Sequence, residues 1–207
     1  LTYSQVFDFS RNLSSAMVKR KLFTEKSFEE EEGKWKLVGI YSRNCAEWAI
    51  TDFACQMNDI TSVGFYSTLG SDSFKHIFEE TEISTIFISP DNVTSFVEYY
   101  NQHNFSSLSN VVIFDYSLYT SESKSELSSL KELGLEVLFF SDLIADNDKE
   151  KITFTEPKPN SILTLCYTSG TTSVPKGVKL TQKGFYTELF LFDNAEFTLT
   201  EEDSTYS

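Results

Sequence analysis

The chain has 207 residues, which is enough to bury the core of one substantial domain. Its 31 acidic residues outnumber 17 basic ones, and the formal charge of −14 argues against nucleic acid or an anionic membrane surface as the main partner, because both select a basic face. Three cysteines without Cys-x-x-Cys spacing and only two histidines indicate neither a disulfide framework nor a metal cluster. No apolar run approaches the roughly 18 residues of a membrane span.

Helix and strand signals alternate from the N-terminus onward. Thr2 and Gln5 have the spacing of a capping box, which predicts the start of a helix. The apolar residues expected on its buried face are Val6, Phe9, Leu13, Ala16 and Met17. A buried strand is predicted over residues 37–41, and Asn44 is predicted to cap the next helix. The core stripe expected on that helix consists of Ile50, Phe53, Ala54 and Met57.

The alternation continues through the middle of the chain. Further strands are predicted over residues 60–66, 84–88, 111–115 and 136–140, and further helices over 72–80, 93–101 and 122–133. Because strands that alternate with helices form parallel sheets, we expect an α/β fold with an open, mostly parallel sheet and helices on both faces. Residues 149–161 contain Pro157 and Pro159, and we interpret them as an internal connection rather than a domain boundary.

The segment from Tyr167 to Gly177 is the most informative part of the sequence. It reads Tyr-Thr-Ser-Gly-Thr-Thr-Ser-Val-Pro-Lys-Gly and holds five hydroxyl side chains in one short loop. Small side chains let backbone N–H groups approach an anion, while the hydroxyls donate around it and Lys176 supplies a positive charge. The β-prone flanks predict a loop between two strands, followed by a helix capped by Thr181. This pattern predicts a site for the phosphates of a nucleotide triphosphate.

Two other phosphate or catalytic motifs do not fit this loop. A Walker-type loop is excluded because Pro175, which has no N–H, stands where its second glycine should be, and Gly177 replaces the hydroxyl that binds Mg²⁺. A nucleophile elbow would need a glycine in place of Tyr167. The remaining alternatives are a Ser/Thr/Gly-rich surface turn and, for Lys176, an ordinary solvated lysine.

The stretch from Leu165 to Lys176 resembles the phosphate-loop signature of the adenylate-forming, or AMP-binding, superfamily. That superfamily includes acyl-CoA synthetases, luciferases and peptide-synthetase adenylation domains, and the one departure here is Ser173 in place of glycine. Residues 38–48, 66–70 and 80–87 are similar to the N-terminal domain of long-chain fatty acyl-CoA synthetases. They favour that branch over coumarate ligases, luciferases and amino-acid adenylation domains. The resemblance implies that residues 1–207 are part of the large N-terminal domain, with the C-terminal domain absent.

The resemblance also implies an activity. The parent enzyme is expected to be a long-chain fatty acid–CoA ligase, an acid–thiol ligase that forms an acyl-adenylate from fatty acid and ATP and then a thioester with coenzyme A. The residues expected to bind the ATP phosphates are Thr168, Ser169, Gly170, Thr171, Thr172 and Lys176, with Thr168 also contacting Mg²⁺. No catalytic residue of the family matches a position in this chain, so we expect the fragment alone to be inactive.

Two other functions stay open at this point: a non-catalytic or truncated nucleotide-binding module, and another adenylate-forming ligase. The expected partners are the small molecules fatty acid, ATP and coenzyme A, and no nucleic acid. The resemblance further implies that the full-length parent works at the cytoplasmic face of the endoplasmic reticulum or another membrane. Its membrane association would then depend on residues outside this chain.

Overall fold

The computed structural model describes residues 1–29, 33–116, 124–145, 153–168 and 174–193. The helices in these residues are α1 (Tyr3–Arg20), α2 (Ala46–Gln56), α3 (Ser71–Thr81), α4 (Val93–His103), α5 (Lys124–Glu132), α6 (Phe140–Ala145) and α7 (Gln182–Asp193). The strands are β1 (Thr24–Lys26), β2 (Trp35–Tyr41), β3 (Ile60–Phe65), β4 (Thr85–Ile88), β5 (Asn110–Ile113), β6 (Glu136–Phe139), β7 (Ile162–Thr168) and β8 (Lys176–Thr181). No helix in the described part of the chain is long and apolar enough to span a membrane.

The strands of the described residues form one sheet with the order β6-β5-β4-β2-β3-β7-β8. All pairs between β6 and β7 in this order are parallel. Antiparallel pairs occur only at two places among the described residues, where β1 joins β2 and where β8 joins β7. The predicted open, mostly parallel α/β sheet is therefore confirmed.

The strands β2, β3, β4 and β5 contribute residues to two separate cores, one on each face of the sheet. On β2, Leu37 and Tyr41 belong to one core, whereas Val38 and Ile40 belong to the other. The first core includes buried residues of α3 and α4, and the second includes buried residues of α1, α2 and α6. Because side chains alternate between the faces of a strand, this arrangement requires apolar residues at consecutive strand positions. Helices on both faces of the sheet are confirmed.

The helix starts show where local sequence patterns succeed and where they fail. The predicted capping box is present, since the backbone N–H of Gln5 donates to Thr2 Oγ1 at 3.2 Å and the Thr2 N–H donates to Gln5 Oε1 at 2.8 Å. The predicted cap at Asn44 is wrong, because α2 follows Cys45, whose side chain makes no capping hydrogen bond. Phe53 is also not a core residue, since 48% of its surface is exposed.

Three elements were not predicted from the sequence: the short strand β1, a 3-10 helix over Pro90–Asn92 and the helix α6. The strand predicted over residues 136–140 ends at Phe139, because Phe140 begins α6. Asp115 provides the reason: its carboxylate accepts hydrogen bonds from the backbone N–H of Ser141 at 2.7 Å and from Ser141 Oγ at 2.6 Å. Parts of the predicted helix 122–133 and of the connection 149–161 lie outside the described residues.

Candidate nucleotide-binding site

The predicted phosphate loop connects the antiparallel strands β7 and β8. The last residue pair before the loop is Thr168 opposite Lys176, and the pair below it is Tyr167 opposite Gly177. The predicted strand–loop–strand arrangement is therefore confirmed. Residues 169–173 lie outside the described part of the chain, so the roles of Ser169, Gly170, Thr171 and Thr172 stay predictions.

The structure brings the two described members of the predicted phosphate site together. Thr168 and Lys176 are both exposed, and residues directly opposite each other in an antiparallel pair project from the same face of the sheet. Among the described residues, no carboxylate forms an ion pair with Lys176. A hydroxyl and an ammonium group without an ion-pair partner in the described part of the chain therefore lie side by side at the mouth of the loop, which is a suitable arrangement for a phosphate group.

The chain returns from the loop through an anchored proline. Pro175 is buried, while its neighbours Val174 and Lys176 are exposed. Proline fixes its own φ angle, so a buried proline at this position restricts the direction in which the chain enters β8. Pro175, whose presence excludes a Walker-type loop, thus has a structural role at the end of the loop between β7 and β8.

Tyr167 lies below the loop mouth and is a part of the site that sequence reasoning missed. Its side chain is buried, and its hydroxyl donates a hydrogen bond of 2.8 Å to Glu80 Oε2 on α3. Burial and the neighbouring Glu80 carboxylate raise the pKa of Tyr167 far above its ordinary value, so the hydroxyl remains a donor. No local signal predicts this bond, because the two residues are 87 positions apart in the sequence.

The helix that follows the hairpin begins as predicted. Thr181 Oγ1 accepts a hydrogen bond of 3.0 Å from the backbone N–H of Gly184, which is a side-chain cap of α7. The connection before β7 also contributes, because the N–H groups of Gln182 and Lys183 donate to carbonyl oxygens of Ser161 and Pro159. The start of α7 is therefore attached both to the last residue of β8 and to the segment that precedes β7.

The crevice at which parallel α/β sheets usually bind ligands lies elsewhere in this fold. That crevice is found where the strand order reverses, which here is between β2 and β4. Asn92 Nδ2 donates to the carbonyl oxygen of Tyr41 at 3.2 Å, and Arg43 lies 3.7 Å from Asp91. These contacts connect the two loops across the crevice. The loop between β7 and β8 is the better candidate for a nucleotide site, because it has the specific motif and the exposed pair Thr168 and Lys176.

The described residues do not form a metal site by themselves. No group of three or more His, Cys, Asp or Glu residues in the described part of the chain could hold a metal ion. The exposed Thr168 hydroxyl is a hard oxygen donor, and Mg²⁺ is commonly held by few protein oxygens together with substrate phosphates and water. This single hydroxyl is compatible with a Mg²⁺ ion that is held mainly by the phosphates of a nucleotide and by water.

Comparison with known proteins identifies relatives over the whole chain. The family model described as AMP-binding enzyme matches residues 1–207. Long-chain-fatty-acid–CoA ligase 1 of Cavia porcellus is 29% identical over 196 residues, covering 94% of this chain and 26% of the relative. Long chain acyl-CoA synthetase 6, peroxisomal, of Arabidopsis thaliana is 36% identical over 144 residues, covering 70% of this chain and 20% of the relative. The chain thus spans about a quarter or less of these relatives.

Solved structures with the same fold include adenylating domains. The adenylation domain of a carboxylate reductase from Mycobacterium chelonae superimposes with a TM-score of 0.75 at 20% identity, over 97% of this chain and 30% of that one. A didomain of carboxylic acid reductase from Segniliparus rugosus, in complex with AMP, gives a TM-score of 0.73 at 21% identity, over 94% and 28% of the two chains. At these identities the similarity shows the fold alone.

Proposed function

Because this chain belongs to the AMP-binding enzyme family, we propose that it forms the phosphate-binding part of a long-chain fatty acid–CoA ligase. In this reaction a fatty acid and ATP give an acyl-adenylate and pyrophosphate, and the acyl group then passes to the thiol of coenzyme A. The choice of substrate is supported by relatives named as long-chain acyl-CoA ligases or synthetases, which are 27–36% identical to this chain.

One observation carries the proposal: Thr168 and Lys176 are paired and exposed at the mouth of the loop that has the family signature. Negative charge builds on the β- and γ-phosphates as pyrophosphate leaves, so a fixed ammonium group and fixed donors lower the barrier. We assign the charge of Lys176 to this task. Thr168, Ser169, Gly170, Thr171 and Thr172 are proposed to donate hydrogen bonds to the phosphate oxygens.

Mg²⁺ and coenzyme A complete the proposed reaction. Mg²⁺ would neutralise phosphate charge when bound, and the Thr168 hydroxyl is the described group that would contact it. Coenzyme A and the acyl chain are proposed to bind mostly through residues outside this chain, since the chain spans only 20–26% of these long-chain acyl-CoA ligase relatives. The same reasoning predicts that residues 1–207 alone do not complete the reaction.

The test is an ATP–pyrophosphate exchange assay on the complete gene product that contains residues 1–207. Palmitate should support exchange and, with coenzyme A added, thioester formation, whereas benzoate and anthranilate should support neither. Exchange with an aromatic acid but not with palmitate would identify a different adenylate-forming ligase. Binding of Mg·ATP without exchange for any acid would identify a non-catalytic module. Thioester formation by the isolated 207 residues would show that the chemistry is assigned to the wrong part of the protein.

We also propose that the complete protein works at the cytoplasmic face of the endoplasmic reticulum or another membrane, through residues outside this chain. The acyl substrate supports this location, because long-chain fatty acids partition into membranes through their apolar surface. Fractionation of cells that express the complete protein tests the location. Recovery of the protein entirely in the soluble fraction would contradict it.

A further inference from the structure

Tyr167 connects the phosphate-loop hairpin to a helix of a different part of the chain. It is the residue directly before Thr168, and only 3% of its surface is exposed. Its hydroxyl donates to Glu80 Oε2 at 2.8 Å, near the C-terminal end of α3. His76, one turn earlier on α3, places its Nε2 3.5 Å from the same oxygen. The Glu80 carboxylate is therefore approached by groups from two elements, β7 and its own helix.

The Tyr167 ring also fixes the opposite strand of the hairpin. Gly177 lies opposite Tyr167 in the β7–β8 register, and a Cβ atom at Gly177 would lie 3.2 Å from Tyr167 Cζ. The ring therefore lies against the bare backbone of β8. One side chain thus contacts both strands of the hairpin directly below the pair formed by Thr168 and Lys176.

These contacts restrain the loop mouth in two ways. The ring packs against the backbone of β8 at Gly177, and the bond to Glu80 attaches the hairpin to α3. Thr168 and Lys176 are the next residues along the two strands, so their positions follow from this arrangement. A phosphate-binding group displaced by even about 1 Å can lose a large part of its catalytic effect.

We propose that Tyr167 and Glu80 are positioning residues that hold the loop mouth in the geometry required for binding and reaction of the nucleotide phosphates. The proposal rests on the proposed function, because it concerns the same site. Neither residue need touch the nucleotide. Their effect passes through the backbone of Thr168 and Lys176.

The matched control for Tyr167 is Tyr41. Both tyrosines are buried on strands of the same sheet, and each has a hydroxyl bonded to a helix side chain, since Tyr41 Oη lies 3.1 Å from Ser95 Oγ of α4. Tyr167→Phe and Tyr41→Phe each remove one such hydroxyl and keep the ring. Their effects on stability should therefore be similar, whereas only Tyr167→Phe should affect the nucleotide.

The experiment compares the two variants in the complete gene product, with pyrophosphate exchange and thermal unfolding as readouts. Tyr167→Phe should lower kcat/KM for Mg·ATP by about tenfold, the effect of losing one well-placed hydrogen bond, and leave the KM for the fatty acid unchanged. Tyr41→Phe should leave both parameters within about twofold. Equal effects of the two variants on kcat/KM would overturn the proposal. Wild-type protein without any exchange activity would instead overturn the proposed function on which it rests.

Glu80 provides a second test that does not depend on the tyrosine. Glu80→Gln keeps an oxygen that can accept the Tyr167 hydrogen bond, whereas Glu80→Leu removes the acceptor and leaves the hydroxyl without its partner. Glu80→Gln should retain kcat/KM for Mg·ATP within about threefold of the wild type, and Glu80→Leu should lose about tenfold or more. If both variants lose the same amount, the carboxylate charge rather than the hydrogen bond matters, and the positioning proposal is wrong.

Discussion

Lys176 shows how the role of a single residue follows from its neighbours. A lysine on an exposed strand end is ordinarily a solvated surface group, and its side chain contributes little to folding. Here the residue lies opposite Thr168 at the end of a hairpin that Tyr167 attaches to α3. The position of its backbone is therefore well determined, which is the condition for a charge to act on a transition state rather than merely attract an anion.

Replacing Lys176 by alanine tests this role. In the complete gene product, Lys176→Ala should reduce transition-state stabilisation of the adenylation step by about 2–4 kcal/mol, because one charge partner of the leaving polyphosphate is lost. Its effect on the free energy of unfolding should stay within about 0.5 kcal/mol, as is usual for exposed side chains. The measurements are pyrophosphate exchange and urea unfolding.

The control for Lys176→Ala is Lys183→Ala, which changes the net charge by the same amount. Lys183 is exposed on α7 and lies outside the loop hairpin. Its removal should leave the exchange rate unchanged. An exchange rate of Lys176→Ala within threefold of the wild type would remove this lysine from the mechanism.

The helices and strands of this fold differ in whether nearby or distant residues determine where they begin. The strands β2 to β5 follow from short apolar runs, and α1 follows from its own capping box and apolar periodicity. The start of α6 does not follow from its local sequence, because its cap comes from Asp115, which lies just after the end of β5. A residue 26 positions away supplies what a local N-cap would normally provide, so no window of the sequence contains the signal.

Asp115→Ala tests whether this distant cap stabilises α6. Loss of a capping side chain usually costs about 1 kcal/mol, and the fold should lose that amount of unfolding free energy. Asp142→Ala is the matched control, because Asp142 is an exposed acidic residue in the first turn of the same helix. Urea unfolding of the 207-residue chain measures the free energy of unfolding of both variants. If the two variants are equally stable, the Asp115 bonds contribute nothing beyond ordinary helix electrostatics.

In the candidate site, too, the features set by neighbouring residues could be predicted from the sequence, and those set by distant residues could not. Its loop, its flanking strands and the capped helix after it could be predicted, because they are contiguous in the sequence and have a specific motif. The hydrogen bond between Tyr167 and Glu80 could not be predicted, because it depends on where α3 packs on the sheet as the chain passes from β3 to β4. Sequence motifs thus identify the groups that contact a ligand more readily than those that position them.

At the scale of the whole molecule, polar and apolar surfaces are unevenly distributed. The chain carries a formal charge of −14, yet the region of β8 and α7 exposes a concentration of apolar side chains. They include Val178, Leu180, Phe185, Tyr186, Leu189 and Leu191. A groove of about 980 Å³ lies between α7 and residues 156–159 and is lined in part by the same helix. A concentration of exposed apolar side chains of this kind can mediate contact with other protein surfaces or cause association.

This apolar region predicts how the 207-residue chain behaves in isolation. It should bind a hydrophobic dye such as ANS in its folded state and self-associate reversibly, because burying apolar area is favourable even between chains that repel each other electrostatically. The double variant Phe185→Glu/Leu189→Glu should lower dye fluorescence severalfold and shift the chain toward the monomer in sedimentation experiments. Added salt should strengthen association of the unchanged chain, because salt screens the repulsion between chains of equal charge.

The control for this prediction is the double variant Phe7→Glu/Phe53→Glu. These two phenylalanines are exposed to a similar degree, but they lie on α1 and α2 rather than on α7. The control adds the same two charges and removes at least as much exposed apolar surface, since Phe7 and Phe53 are 58% and 48% exposed and Phe185 and Leu189 are 41% and 48% exposed. If the apolar region of β8 and α7 causes the association, the control should change dye binding and sedimentation only slightly. Equal effects of the two double variants would show that association depends on net charge and not on this surface.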